Sequence, residues 1–123
     1  MTKTINKKIL IAEDDKDFLA ILQKKFGLNG FDIVVAEDGE EGIIIAEKEK
    51  PDLILSDVLM PKMDGLAMAK KIRETNKDVP IMFLTNLKDD STAERPSEFD
   101  YLIKSELRID DIVTKVKRKL GVE

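Results

Sequence analysis

Leu53-Ile54-Leu55-Ser56, running on into Asp57-Val58-Leu59-Met60-Pro61-Lys62-Met63-Asp64-Gly65, is the stretch that decides the fold. Its opening is too short for a helix and apolar at nearly every position, which is how a strand buried on both faces of a parallel sheet reads. Pro51 stops any preceding helix from running into it. At its exit stands a carboxylate, Asp57, followed by Asp64-Gly65, where Asp64 can accept the free amide hydrogens of a new helix.

Four more apolar runs have the same character: Ile9-Leu10-Ile11-Ala12, Ile33-Val34-Val35-Ala36, Ile81-Met82-Phe83-Leu84 and Tyr101-Leu102-Ile103. They alternate with segments of helical period, which predicts an α/β domain built on a doubly wound, five-stranded parallel sheet. The order expected is 2-1-3-4-5, the flavodoxin-like arrangement, with the less uniformly apolar second strand at an edge. Phe18, Leu22 and Phe26 define a first helix ending near Gly27, with Lys24 and Lys25 facing water. Asp38 caps a second over Gly39 to Lys48, and Asp64 a third over Gly65 to Thr75 with Leu66, Ala69 and Ile72 on its buried side. Ile109, Ile112, Val113, Val116 and Leu120 define the last, whose cations Lys115, Lys117, Arg118 and Lys119 suit the helix dipole. The interval from Lys88 to Glu98 offers only Ala93 to a core and contains Pro96, which predicts a short or irregular fourth helix.

The 123 residues fit a single domain, 1–123, and the 42% hydrophobic, 37% charged composition is that of a globular chain. Without Cys or His, thiol nucleophiles, a Ser-His-Asp triad and Cys/His zinc sites are excluded. A net charge of −4 argues against direct nucleic-acid binding by this domain. No apolar run approaches twenty residues and Met1 to Asn6 does not resemble a signal peptide, so a cytoplasmic protein with no membrane contact is expected.

In such a sheet, functional groups collect at the carboxyl ends of the strands. Those exits carry Glu13, Asp14 and Asp15, then Asp57, then Thr85, then Lys104. Carboxylates gathered in one crevice repel one another unless a cation neutralises them, and hard oxygen donors suit Mg²⁺. A carboxylate such as Asp57 is also a nucleophile toward phosphorus. Thr85 can donate a hydrogen bond to a phosphoryl oxygen and Lys104 can pair with another.

On these motifs, together with Asp100-Tyr101-Leu102-Ile103-Lys104, nearly the whole chain resembles the receiver domains of two-component response regulators. The resemblance implies that Asp57 is a phosphoacceptor served by the phosphohistidine of a sensor histidine kinase or phosphotransfer domain. It implies Mg²⁺ held by Asp14, Asp57 and the Leu59 backbone carbonyl, with Glu13 acting through water. Thr85 and Lys104 would bind the phosphoryl group, and Thr85 and Tyr101 would form a conformational switch read by a downstream effector or fused output domain. Asp15 matches a commonly acidic position. Ser105 replaces the family's usual proline after the lysine, and the Thr85 to Lys104 interval is about three residues shorter than usual, so the output route is the least transferable feature.

Each residue also has a plainer reading. The acids at 13 to 15 suit a helix start, Thr85 a strand end, Lys104 a solvated surface, and Tyr101 a half-buried ring with a wet hydroxyl. An alternative function is a constitutive receiver-like protein-interaction domain without efficient switching. A dedicated enzyme is disfavoured: haloacid-dehalogenase-type phosphatases place an acid two residues after the nucleophile, where this chain has Leu59. Apolar Leu59 and Leu87 beside the site are expected to slow phosphate loss by limiting access of water.

Overall fold

The computed structural model describes residues 5–86 and 96–122. Five parallel strands, β1 (Lys8–Ala12), β2 (Asp32–Ala36), β3 (Leu53–Asp57), β4 (Ile81–Thr85) and β5 (Asp100–Ile103), lie in the order β2-β1-β3-β4-β5. The expected order and the edge position of the second strand are both found. Helices α1 (Lys16–Leu28), α2 (Gly39–Glu49), α3 (Gly65–Arg73) and α4 (Ile109–Leu120) cover the sheet, and a single 3-10 turn spans Lys104–Glu106. The expected irregular fourth helix falls on residues 88–98, of which 88–95 lie outside the described residues, as does Leu87.

Alternation along each strand sorts the core into two layers. Ile9, Ile11, Leu53, Leu55, Met82 and Leu84 pack with α1 and α4 through Leu22, Phe26, Ile112 and Val116. Leu10, Ile54, Ile81 and Phe83 pack on the other face with Met68, Ala69 and Ile72 of α3. Met68, not Leu66, completes the fully buried stripe of α3, because Gly42 of α2 leaves it room: a Cβ at Gly42 would collide with the Met68 sulfur.

The helix starts follow local chemistry. Asp15, Asp38 and Asp64 each accept amide hydrogens of the following first turn, at Asp17 and Phe18, Glu41 and Ala67 respectively. Lys50 closes α2 in a left-handed conformation at φ 48°. The helical period of α1 predicts Lys25 in water. It is instead half-buried and bonds Asp110 of α4 at 2.7 Å, since α1 and α4 lie side by side on one face. The basic end of α4 is likewise engaged: Lys117 Nζ donates to Asn29 Oδ1 at 3.0 Å and Lys119 lies 2.9 Å from Asp100. Among the described residues no helix is long and apolar enough to cross a membrane.

Candidate functional site

Register brings the strand exits together. Ala12 pairs with Ser56, so Glu13 follows alongside Asp57; Asp57 pairs with Leu84, placing Thr85 one step beyond; Thr85 pairs with Ile103, placing Lys104 one step beyond that. Glu13, Asp14 and Asp57 offer carboxylate oxygens that all lie within 4.8 Å of one another. Lys104 Nζ donates to Glu13 Oε1 at 2.8 Å and to Asp57 Oδ2 at 3.2 Å. Asp57 Oδ1 accepts the Val58 amide hydrogen at 2.8 Å, so both oxygens of that carboxylate are oriented.

The three acids differ in exposure, which divides their chemistry. Glu13 is 1% exposed, and its second oxygen accepts the Asp15 amide hydrogen at 3.1 Å. Burial pushes its carboxyl above the ordinary range, and the Asp57 charge adds to that, against the lowering pull of Lys104 and the Asp15 amide. Asp14 is open to solvent, whereas the Asp57 side chain is 15% exposed. Burial alone would lower Lys104, but its hydrogen bond to Glu13 and the charges of Asp57 and Glu13 prevail and hold the ammonium above its ordinary range.

The surrounding backbone is tightly built. Gly65 N–H donates to the Val58 carbonyl at 2.7 Å, closing the loop after Asp57 onto the start of α3. Gly39 at the start of α2 abuts the Met63 carbonyl, leaving no space for a side chain. Lys62, itself left-handed at φ 66°, reaches Asp38 at 3.6 Å and ties the same loop to α2. Thr85 is 2% exposed. Tyr101 is half-buried, stacks on Phe83 with ring centroids 5.5 Å apart, and donates its hydroxyl to the Pro96 carbonyl at 3.1 Å. Leu59 is 61% exposed.

Asp14, Asp57, Glu13 and Lys104 are therefore brought together as the sequence reading expected, with Thr85 on the adjoining strand end. Asp15 is assigned elsewhere: its side chain caps α1. Phe18, read in the sequence only as a core position, lies with its ring 4.6 Å from Lys104 Nζ. Its four-residue spacing with Leu22 and Phe26 signalled burial and carried no sign of this second contact.

The donor set suits a divalent cation. It consists of hard carboxylate oxygens, two of whose acids are bridged by Lys104. An ion taking oxygens at about 2.1 Å spans donors about 4.2 Å apart directly and farther through water.

Comparison with known proteins places this geometry. The family model described as response regulator receiver domain matches residues 9–117. The alkaline phosphatase synthesis transcriptional regulatory protein PhoP of Bacillus subtilis is 41% identical over 111 residues, covering 90% of this chain and 43% of PhoP. The chain thus spans less than half the length of that relative. The Francisella response regulator 1452 receiver domain superposes with a TM-score of 0.79 at 34% identity, covering 91% of this chain and 94% of that one. The response regulator TrrA of Thermotoga maritima, solved in complex with Mg²⁺ and BeF, superposes with a TM-score of 0.78 at 30% identity, covering 91% and 97%.

Proposed function

Because the chain belongs to the response-regulator receiver domains of two-component systems, we propose that Asp57 is its phosphoacceptor and that the acidic cluster around it is a Mg²⁺ site. The observation that carries this reading is the convergence of three strand ends: Lys104 bridges Glu13 and Asp57 while Asp14 lies within 4.8 Å of both acids.

In this reading a phosphohistidine of a sensor histidine kinase or phosphotransfer domain is the donor. An Asp57 carboxylate oxygen forms the new bond to phosphorus as the bond to the imidazole nitrogen breaks; the ring keeps that electron pair and takes a proton from solvent. Asp14, Asp57 and the Leu59 carbonyl would hold the ion directly and Glu13 through water. Bound there, Mg²⁺ supplies positive charge against the phosphoryl oxygens. Lys104 pairs with one phosphoryl oxygen and Thr85 donates a hydrogen bond to another. Thr85 and Tyr101 then form the switch, their equilibrium shifted by these new contacts. An effector protein or fused output domain reads the result, consistent with a relative that is a transcriptional regulator. The domain is a signalling module that acts only on its own phosphorylation.

The test is incubation with acetyl phosphate and Mg²⁺ followed by intact-mass analysis under mild conditions. A single phosphoryl adduct is expected, absent without Mg²⁺ and absent in Asp57→Asn. No adduct in the native chain would overturn the reading in favour of a constitutive interaction domain.

A further inference from the structure

The Lys104 ammonium has three N–H donors, and the carboxylates of Glu13 and Asp57 take two directions. Its nitrogen also lies 4.6 Å from the centroid of the Phe18 ring, inside the distance at which a cation is drawn to the negative face of an aromatic ring. The Lys104 side chain is only 14% exposed, so this attraction is not washed out by full hydration. Phe18 is moreover fixed to the same acidic loop. Glu13 Oε2 accepts the Asp15 amide hydrogen, Asp15 Oδ1 accepts the Phe18 amide hydrogen, and Lys104 returns to Glu13 Oε1. The contacts form a closed circuit in which the aromatic ring is the one member without charge.

We propose that Phe18 is a positioning residue for phosphoryl transfer, its ring face holding the Lys104 ammonium in place while Asp57 changes from carboxylate to acyl phosphate. This rests on the phosphoacceptor reading above and adds a part to it. When Asp57 is phosphorylated, one of the two carboxylates that orient Lys104 becomes a mixed anhydride without its own carboxylate charge, and the ammonium must turn toward a phosphoryl oxygen. A second carboxylate in place of Phe18 would compete for the ammonium, and an aliphatic side chain would leave that flank without attraction. An aromatic face does neither: it attracts the cation without a directional hydrogen bond, so Lys104 can rotate between partners without leaving the site.

Packing alone is the competing account, since Phe18 also lies against the sheet-facing core of α1. The two accounts separate on chemistry at constant size class. Phe18→Leu keeps an apolar side chain and removes the ring; Phe18→Tyr keeps the ring. Two readouts are taken on the full chain. The first is the NMR shift of the Lys104 Cε methylene without metal, which a ring beneath the ammonium moves upfield. The second is the rate of Asp57 phosphorylation against acetyl phosphate concentration with Mg²⁺, for each variant alone and combined with Lys104→Met.

The expected result is an upfield methylene in the native chain and Phe18→Tyr that reverts in Phe18→Leu while the remaining spectrum stays native. With it, the maximal rate of Phe18→Leu falls about three- to tenfold, the range of a partly desolvated cation–aromatic contact, and Phe18→Tyr restores it. The Leu effect should vanish once Lys104 is Met. Native rates in Phe18→Leu, or an equal loss in the Lys104→Met background, would overturn the proposal. An unshifted native methylene would remove its geometric basis whatever the rates. A native chain that takes no phosphoryl group, with the methylene still shifted, would instead sink the phosphoacceptor reading, and the transfer role of Phe18 with it.

Discussion

The backbone of Gly65 lies directly against the carbonyl oxygen of Asp57, with no space for a Cβ between them. Phe83 and Ser56 close the same position from the sides at 3.0 Å. The first residue of α3 is therefore seated behind the proposed phosphoacceptor. Gly65→Ala must push strand or helix aside, and overpacking of this kind costs about 1–3 kcal/mol. Gly27 on α1 is the contrast: nothing lies near a Cβ there, so Gly27→Ala should stabilise by about 0.5–1 kcal/mol through helix propensity. Urea denaturation of both variants checks the opposite signs, and phosphorylation should suffer only in Gly65→Ala.

Mg²⁺ should stabilise the fold by mass action, because an unfolded chain does not hold Glu13, Asp14 and Asp57 together. At ten times the dissociation constant the gain is about 1.4 kcal/mol. Thermal unfolding with and without Mg²⁺ should show a concentration-dependent rise in Tm that is strongly reduced in Asp14→Asn. An equal rise in that variant would place the ion elsewhere.

The Lys25 hydrogen bond, with the charge of the same ammonium behind it, holds the Asp110 carboxyl below its ordinary value of 3.8. A depressed acid contributes stability that is present above its unfolded value and lost as pH falls through the folded one. The contribution of this pair is therefore intact at neutral pH, begins to fall near 3.8 and is lost as pH drops further, through the lowered folded value. Lys25→Met should flatten that acid limb of the stability curve while leaving phosphorylation unchanged.

Leu59, 61% exposed two residues after Asp57, offers no proton-transferring group and carries apolar surface. Leu59→Asn should accelerate loss of phosphate from Asp57 by admitting and orienting water. Following the adduct by mass over time after donor removal checks this; an unchanged decay rate would assign water exclusion to other residues.

Much of the fold is written locally. The run Leu53-Ile54-Leu55 needs only its length and uniform apolarity to read as a central strand, and Asp38 and Asp64 announce their helices through the amide hydrogens they accept. The candidate site was legible for a related reason: in a parallel sheet every strand exit lies at one end, so Glu13, Asp57, Thr85 and Lys104 needed only the right order to meet. What escaped were contacts with no periodicity. Lys25 looked solvated because nothing in α1 shows that Asp110 will lie 2.7 Å away. The three-residue spacing points to Leu66 and passes over Met68, because the room for Met68 is made by Gly42 on another helix.

By itself, then, the sequence determined the elements, their order and the list of reactive groups, because capping, strand burial and helical period act over a few residues. Only tertiary structure decided which of those groups share a hydrogen bond, which acid is buried and which faces water, and that an aromatic ring lies beneath the ammonium. Lys104 and Glu13 are 91 residues apart along the chain, and the 2.8 Å between them follows from sheet register and helix packing, which no local pattern encodes.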